Sequence, residues 1–369
     1  MESQVGTVPL FPSLVASVLP TIVYVLLIWR IDRYEKEPLR LLLVAFLWGA
    51  APAVVLSIVL ELAFDQPLAL LSDLYGPLKH YGDFISMGIV TPPVEEIAKG
   101  LALLGLFMLA RREFDGTLDG VIYGSLVGFG FAMTENVLYF VRSWQQDGLQ
   151  GWGMVVFVRA LVFGLNHAMY TSFTGVGFGL ARYSRSRRRG AFYILAGLLA
   201  AILTHAIHNT FLSFEDMCMV SLVADWLGVG VVLVIILLTR RRERLWMTTQ
   251  LADEVQWGVL TAEQLQIILS RRRRWSKEWA ALGMAGVREA RLWHKLADTA
   301  GELAFKTHQE RAMGPEQATT RLITQLRARM IQIRRELGDS TVADSVVCAQ
   351  CGRPSLAAGD APCPHCGAG

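Results

Sequence analysis

Two adjacent carboxylates, Glu95 and Glu96, stand just ahead of Lys99 in the apolar run Pro92-Pro93-Val94-Glu95-Glu96-Ile97-Ala98-Lys99. Glu95 and Lys99 are i,i+4 neighbours in the favourable order and can pair. Glu96 points roughly 100° away and is left for another partner. Further along, Glu135 and Asn136 follow Phe131, His167 follows Asn166, and His205 precedes Asn209 by one helical turn, with Arg159 and His208 nearby. Carboxylates, imidazoles and a carboxamide in an apolar setting suit attack of water on a carbonyl. Glu95 or Glu96 would carry the proton. His167 or His205 would orient the water or protonate the leaving amine, and Asn209 would donate to the oxyanion. A second version uses Glu95, Glu96, His167 and His205 to hold a divalent metal, zinc first among candidates, which activates the water. Residue types alone do not separate the two. Other hydrolytic designs fit worse. There is no His-Glu-x-x-His helix and no serine nucleophile elbow. Asp119 lies near a loop, with no second membrane aspartate to make a dyad.

The elements that must hold these residues are membrane spans. Of 369 residues, 53% are hydrophobic and 18% charged, and the mean hydropathy is +0.39. A soluble chain carries about 25% charge, so a lone soluble enzyme and a disordered chain are both excluded. A net charge of +3 gives no reason to expect nucleic acid. Apolar stretches recur at Leu10–Trp29, Leu39–Phe64, Phe84–Ala110, Thr117–Val141, Met154–Tyr183, Ala191–Phe214 and Met219–Thr239. Each is near or above the roughly 20 residues that cross a bilayer core, which predicts about seven transmembrane helices. Met1–Thr7 lacks a basic n-region, so the first stretch reads as a retained span. Cations alternate with loop parity: Arg30, Arg33, Lys36 and Arg40, then Arg111 and Arg112, then Arg182 and Arg185 to Arg189, then Arg240 to Arg242. The intervening loops hold little beyond Lys79 and Arg142. The positive-inside rule then puts the N-terminus outside and the C-terminus in the cytoplasm. Counting along each helix places Glu95, Glu135, His167 and His205 roughly 9 to 20 Å below the outer surface. Ionisable groups at that depth mark a functional site. Gly124 with Gly128, and Gly175 with Gly179, are small-xxx-small pairs that let helices approach.

Composition changes near Arg240, giving three expected regions: a membrane domain over 1–240, a cytoplasmic helical region over 241–340 and a small ribbon over 341–369. Thr261 followed by Gln264 has the form of a capping box, and Arg271–Arg274 reads as a solvated face, with contact to anionic lipid heads as the second choice. Cys348-x-x-Cys351 and Cys363-x-x-Cys366 offer four thiolates for a closed structural zinc site. Gly352 and Gly367 stand where each knuckle needs φ > 0. Such a zinc has no open position, so it is not catalytic. Cys218 reads as an apolar filler.

The order Glu95-Glu96-x-x-Lys99, Phe131-x-x-x-Glu135-Asn136, His167, His205-x-x-x-Asn209 resembles the PrsW family of intramembrane proteases. These in turn resemble the CAAX prenyl proteases and bacteriocin-processing proteins. Asp32-Arg33-Tyr34-Glu35-Lys36-Glu37-Pro38 is similar to the family's signature after its first span. The resemblance covers about residues 10–240. It implies hydrolysis of a peptide bond of a membrane protein, anti-sigma factors in some members, in a bacterial cytoplasmic membrane. It makes Glu95 or Glu96 the base, His167 and His205 its catalytic or metal-binding partners, Asn209 an oxyanion donor, and Glu135 and Asn136 cavity residues. Whether the chemistry is glutamic or metal-dependent is inherited open. The helical tail and ribbon lie outside the family core and suit a cytoplasmic partner. The rival reading is a proton- or cation-coupled transporter or channel using the same residues as a relay. It would favour inverted repeats, which the sequence does not display.

Overall fold

A computed structural model describes residues 9–31, 37–74, 84–111, 113–342, 346–355 and 363–367. Asp32 to Lys36 of the first-loop signature lie outside that set, as do Met1–Thr7, Lys79 and Arg112. The contacts divide the chain into two units, one running to Leu237 and one from Leu238 onward.

The first unit is helical throughout its described residues: α1 (Leu10–Trp29), α2 (Leu39–Trp48), α3 (Val54–Leu74), α4 (Thr91–Leu109), α5 (Thr117–Val156), α6 (Asn166–Arg182), α7 (Arg187–Leu212) and the first part of α8 (Cys218–Gln256). Its polarity is inverted relative to a soluble bundle. Helix α1 buries Ser13, Ser17 and Thr21 and exposes Phe11, Leu19 and Leu27. The Ser17 hydroxyl donates to the Met133 carbonyl, and Trp152 donates to Ser13. Hydroxyls face the protein and large apolar side chains face out, which water would penalise and hydrocarbon does not.

Five described runs are long and apolar enough to cross a membrane: Leu10–Trp29, Leu39–Pro67, Thr117–Arg182, Arg187–Leu212 and Cys218–Gln256. Two of the seven expected spans are not among them as separate helices. Thr91–Leu109 carries Glu95, Glu96 and Lys99, too many charges for a purely apolar criterion. Thr117–Arg182 is 66 residues long and holds both α5 and α6.

Among the described residues three stretches of π-helix interrupt the bundle, at Gly49–Ala53, Ile85–Val90 and Phe157–Val162. The second leads directly into α4. Pro92 and Pro93 occupy the first turn of α4, where proline is well tolerated. The third contains Arg159 and leads to the turn before His167. Such π-segments re-aim the residues that follow them and often adjoin functional sites.

Helices α5 and α6 pack antiparallel through their glycines. A Cβ added at Gly120 would lie 2.1 Å from the Gly175 carbonyl oxygen, at Gly124 2.6 Å from that of Thr171, and at Gly128 2.3 Å from that of His167. Only glycine permits this backbone contact. The ladder fixes His167 at the level of Gly128, between Phe131 and the start of α6. The surrounding core includes Leu103, Phe114, Tyr123, Val127, Tyr170 and Phe178. Glu37, the described end of the loop signature, is buried and accepts a hydrogen bond from the Tyr123 hydroxyl.

The second unit contains the remainder of α8 with α9 (Ala262–Leu269), α10 (Arg271–Met284), α11 (Val287–Met313) and α12 (Gln317–Glu336), around Met247, Leu251, Leu296, Leu303, Met330 and Ile331. Thr261 and Gln264 form both bonds of a capping box at the start of α9. Arg334 is 1% exposed yet satisfied by the Gly258 carbonyl, Asp339 and Thr341. Arg271, Arg272 and Arg273 are exposed, whereas Arg274 pairs with Glu278 and Asp298.

Strands β1 (Val346–Val347) and β2 (Pro354–Ser355) form a short antiparallel hairpin beside the cysteines. The four sulfurs lie within 4.8 Å of one another. Gly352 and Gly367 have φ of 69° and 71°, and each amide donates back to the first cysteine of its knuckle at 2.8 Å. The Cys351 amide helps hold the Cys348 thiol down to about 6, whereas burial pushes the Cys351 thiol up to about 12. Arg327 pairs with Glu254 and donates to the Cys351 carbonyl, which seats the first knuckle against α12.

Candidate active site

The first turns of α4 place Glu95, Glu96 and Lys99 inward, at 5%, 0% and 0% exposure. The ammonium of Lys99 has three hydrogens and three partners: Glu95 Oε2 at 2.9 Å, Glu96 Oε1 at 2.8 Å and His167 Nδ1 at 3.0 Å. It also lies 3.9 Å from the Phe131 ring centre. Glu96 is thus not spare for a different partner alone. It holds Lys99, accepts from Thr171 at 3.2 Å, and sits 3.1 Å from His205 Nδ1.

These partners settle the imidazole tautomers. An ammonium only donates and a carboxylate only accepts. His167 therefore accepts at Nδ1 from Lys99 and donates from Nε2 to Glu135 Oε2, 2.8 Å away. His205 donates from Nδ1 to Glu96. Its Nε2 keeps a lone pair 3.9 Å from Glu95 Oε2, a gap that one bridging water spans. Tyr170 stacks on the His205 ring at 4.7 Å and fixes its plane.

Glu135 and Asn136 share one partner. Arg159 donates to Glu135 Oε2 at 2.7 Å and to Asn136 Oδ1 at 2.9 Å, over the Tyr139 ring. Arg159 stood out in the sequence without an assigned role; here it orients the carboxylate that holds His167. Asn209 donates to the Met87 carbonyl at 2.9 Å and so ties α7 to the π-segment before α4.

A cavity of about 530 Å³ opens onto this cluster. Glu95, Glu135, Asn136, His167, His205 and Asn209 line it, and so do Glu61 and His208. Glu96 and Lys99 stand behind them. Glu61 and Asp65 of α3 stand as isolated acids in an otherwise apolar stretch, with no motif residue beside them to single them out. Contrary to the expectation from sequence, a further aspartate does lie buried within an apolar span. Asp225 of α8 is 2% exposed and pairs with His208.

The donor set tests a metal. Ligand atoms of Glu95, Glu96, His167 and His205 all lie within 4.8 Å of one another. Two carboxylates and two imidazoles suit a divalent ion such as zinc. The Lys99 ammonium draws on three of the same four side chains, so an ion and the ammonium compete for their lone pairs. The second group of donors is the four cysteines.

Residues 37–240 match the sequence model of the PrsW family intramembrane metalloproteases. The chain is similar to Protease PrsW of Geobacillus kaustophilus, 26% identical over 216 residues, which is 56% of this chain and 82% of that protein. It is likewise similar to Protease PrsW of Clostridioides difficile, 26% identical over 200 residues, covering 54% and 78% of the two chains. For Protease PrsW of Bacillus subtilis the values are 27% over 197 residues, 53% and 80%. No solved structure matches.

Proposed function

This chain belongs to the PrsW family of intramembrane metalloproteases and is a peptidase of that type, and on that premise we propose that it hydrolyses a peptide bond of a bacterial membrane protein, of the anti-sigma-factor kind, by water held between Glu95 and His205. The observation that carries the proposal is the pairing of Glu95 Oε2 with a free lone pair on His205 Nε2 across 3.9 Å. Both groups line the cavity. A water there donates one hydrogen to each and turns its own lone pair outward to a carbonyl carbon. Glu95, the member of the acidic pair that meets the cavity, takes the proton. Glu96 orients His205 and Lys99. Lys99 and the Glu135–Arg159 pair hold His167 from both sides, so the geometry is set before substrate arrives. Asn209, at the cavity wall, has a second amide hydrogen for the oxyanion.

Where a divalent ion is bound, Glu95, Glu96, His167 and His205 would hold it, and it would supply Lewis-acid polarisation and a more acidic water. The test of the reading is direct: purified chain in proteoliposomes should cleave a co-reconstituted single-span fluorogenic polypeptide. Vesicles in which the reporter stays intact would overturn it. The transporter alternative gains nothing from the comparisons, all of which are to proteases.

The seven-span topology, with the N-terminus outside and the C-terminus in the cytoplasm, is supported by loop charge and by the division of Thr117–Arg182 into two antiparallel helices. A periplasm-dependent reporter enzyme fused after Arg244 should be inactive; activity would reverse the orientation. The clustered cysteines support a structural zinc outside the membrane site. Elemental analysis of chains ending before Val347 should show about one zinc per chain fewer than the full-length protein. Equal zinc in both would move the metal to the membrane cavity.

A further inference from the structure

His208 is a third imidazole on the cavity wall, three residues from His205, and the mechanism above does not use it. Its Nδ1 lies 2.7 Å from Asp225 Oδ2 and 3.0 Å from Ser221 Oγ. Ser221 is fully buried and donates to the same carboxylate at 3.3 Å. Tyr170, already stacked on His205, donates to the other oxygen of Asp225 at 3.2 Å. Asn166 Nδ2 lies 3.3 Å from Nδ1, and Phe163 packs edge-on to the ring. All of these polar partners meet the Nδ1 side. Among the described residues none bonds Nε2, on the opposite edge of the ring, and the side chain keeps 11% exposure where it lines the cavity.

A serine–histidine–aspartate trio might suggest a nucleophile, but the arrangement forbids it. In a working triad the serine and the carboxylate approach opposite ring nitrogens. Here both approach Nδ1, so His208 cannot take the Ser221 proton and present it elsewhere. The arrangement is that of a carboxylate orienting a histidine. The carboxylate fixes the hydrogen on Nδ1 and stabilises the imidazolium when Nε2 is also protonated.

We infer that the Asp225–His208 pair is the general acid that protonates the leaving amine, working opposite Glu95 in the same cavity. The inference rests on the proposed proteolysis. Water adds to the carbonyl carbon and gives one proton to Glu95. The tetrahedral intermediate then collapses, the C–N bond breaks with its electron pair on nitrogen, and that nitrogen takes the Nε2 proton of the His208 imidazolium. The products are a carboxylic acid and an amine. The proton on Glu95 returns to His208 through the cavity, and both groups are restored. The division of labour is chemically reasonable. His167 has both nitrogens committed and His205 has one committed with the other on the water, whereas His208, oriented through Nδ1, leaves Nε2 without a partner among the described residues. His208 is thus assigned as a catalytic residue, with Asp225 as the residue that positions it.

The test uses the full-length chain in proteoliposomes and the single-span fluorogenic polypeptide, in an amide form and in a form with an ester at the cleaved bond. His208→Ala should lower kcat on the amide about 100-fold with little change in KM. An ester's alkoxide needs less help to leave, so the loss there should be at least several-fold smaller. Added imidazole should restore part of the amide activity. Asp225→Asn should impair the amide by a similar factor through the wrong tautomer. Equal losses on amide and ester without imidazole rescue would overturn the acid role and leave His208 as packing. His208→Ala cleaving the amide normally would overturn it too. Glu95→Gln, run in parallel, separates the two levels: if it is inactive while His208→Ala is active, only the acid assignment falls. If Glu95→Gln cleaves normally, the proposed mechanism falls with it.

Discussion

Glu95→Gln should lower kcat for reporter cleavage by about 10²- to 10⁴-fold, the range that a positioned general base contributes, while KM and the thermal midpoint stay near those of the unmodified chain. A glutamine keeps the shape and still accepts from Lys99, so the fold has little to lose. The amide nitrogen cannot take a proton from water, so the reaction does. Glu96→Gln should behave differently. Glu96 is fully buried and serves Lys99, Thr171 and His205 together. Weakening it loosens the bonds to Lys99, Thr171 and His205 at once, whereas Glu95→Gln alters the Lys99 bond and leaves those of Thr171 and His205 in place. Activity and thermal midpoint should therefore fall together. A Glu95→Gln chain that cleaves within about threefold of the unmodified one would remove the base assignment. So would the reverse pattern, with Glu96→Gln stable and inactive and Glu95→Gln unfolded.

Gly128→Ala should cost as much activity without touching an ionisable group. Its Cβ would lie 2.3 Å from the His167 carbonyl oxygen and 2.6 Å from the Ala168 Cα. Both obstacles are backbone, so no side chain can swing aside. Helices α5 and α6 must separate, and His167 moves away from Lys99, on α4, and from Glu135 on α5. Overpacking of this kind costs about 1–3 kcal/mol or more. A displacement of about 1 Å in a positioned group can cost 100-fold in rate. The expected result is a lowered thermal midpoint and a kcat loss near two orders of magnitude. Gly105→Ala is the control, because a Cβ there meets nothing within 4 Å. If both variants behave alike, the glycine ladder does not set the position of His167.

Much of this was legible in the residues. Six of the seven apolar stretches overlap five described runs long and apolar enough to cross the bilayer, two of them sharing Thr117–Arg182. The remaining stretch, Phe84–Ala110, holds α4, which buries Glu95, Glu96 and Lys99. The carboxylate and imidazole positions were legible because a charge at bilayer depth is too costly to be incidental. The cysteine pairs and their glycines announced the knuckles, since two thiolates on a tight turn need φ > 0 at the residue that follows. Asp225 was overlooked because it lies alone in an apolar helix with no second motif residue beside it. Its partner, His208, is 17 positions earlier on another helix. Arg159 was visible but mute, because a cation acquires a role only when the structure shows which carboxylate it holds.

The sequence by itself determined that the chain is built of apolar helices carrying ionisable groups, and what class of chemistry those groups suit, because hydrophobic length and residue type are local properties. Only the tertiary structure decided how the labour is divided. Whether Glu95 or Glu96 faces the cavity, which nitrogen of each histidine is free, and whether Lys99 pairs with one carboxylate or two all depend on contacts between helices. Those contacts are set by glycine-mediated backbone approach and by the π-segments that turn α4 and α6 into register. Such distances come from packing across the bundle, and no spacing along one strand of sequence encodes them.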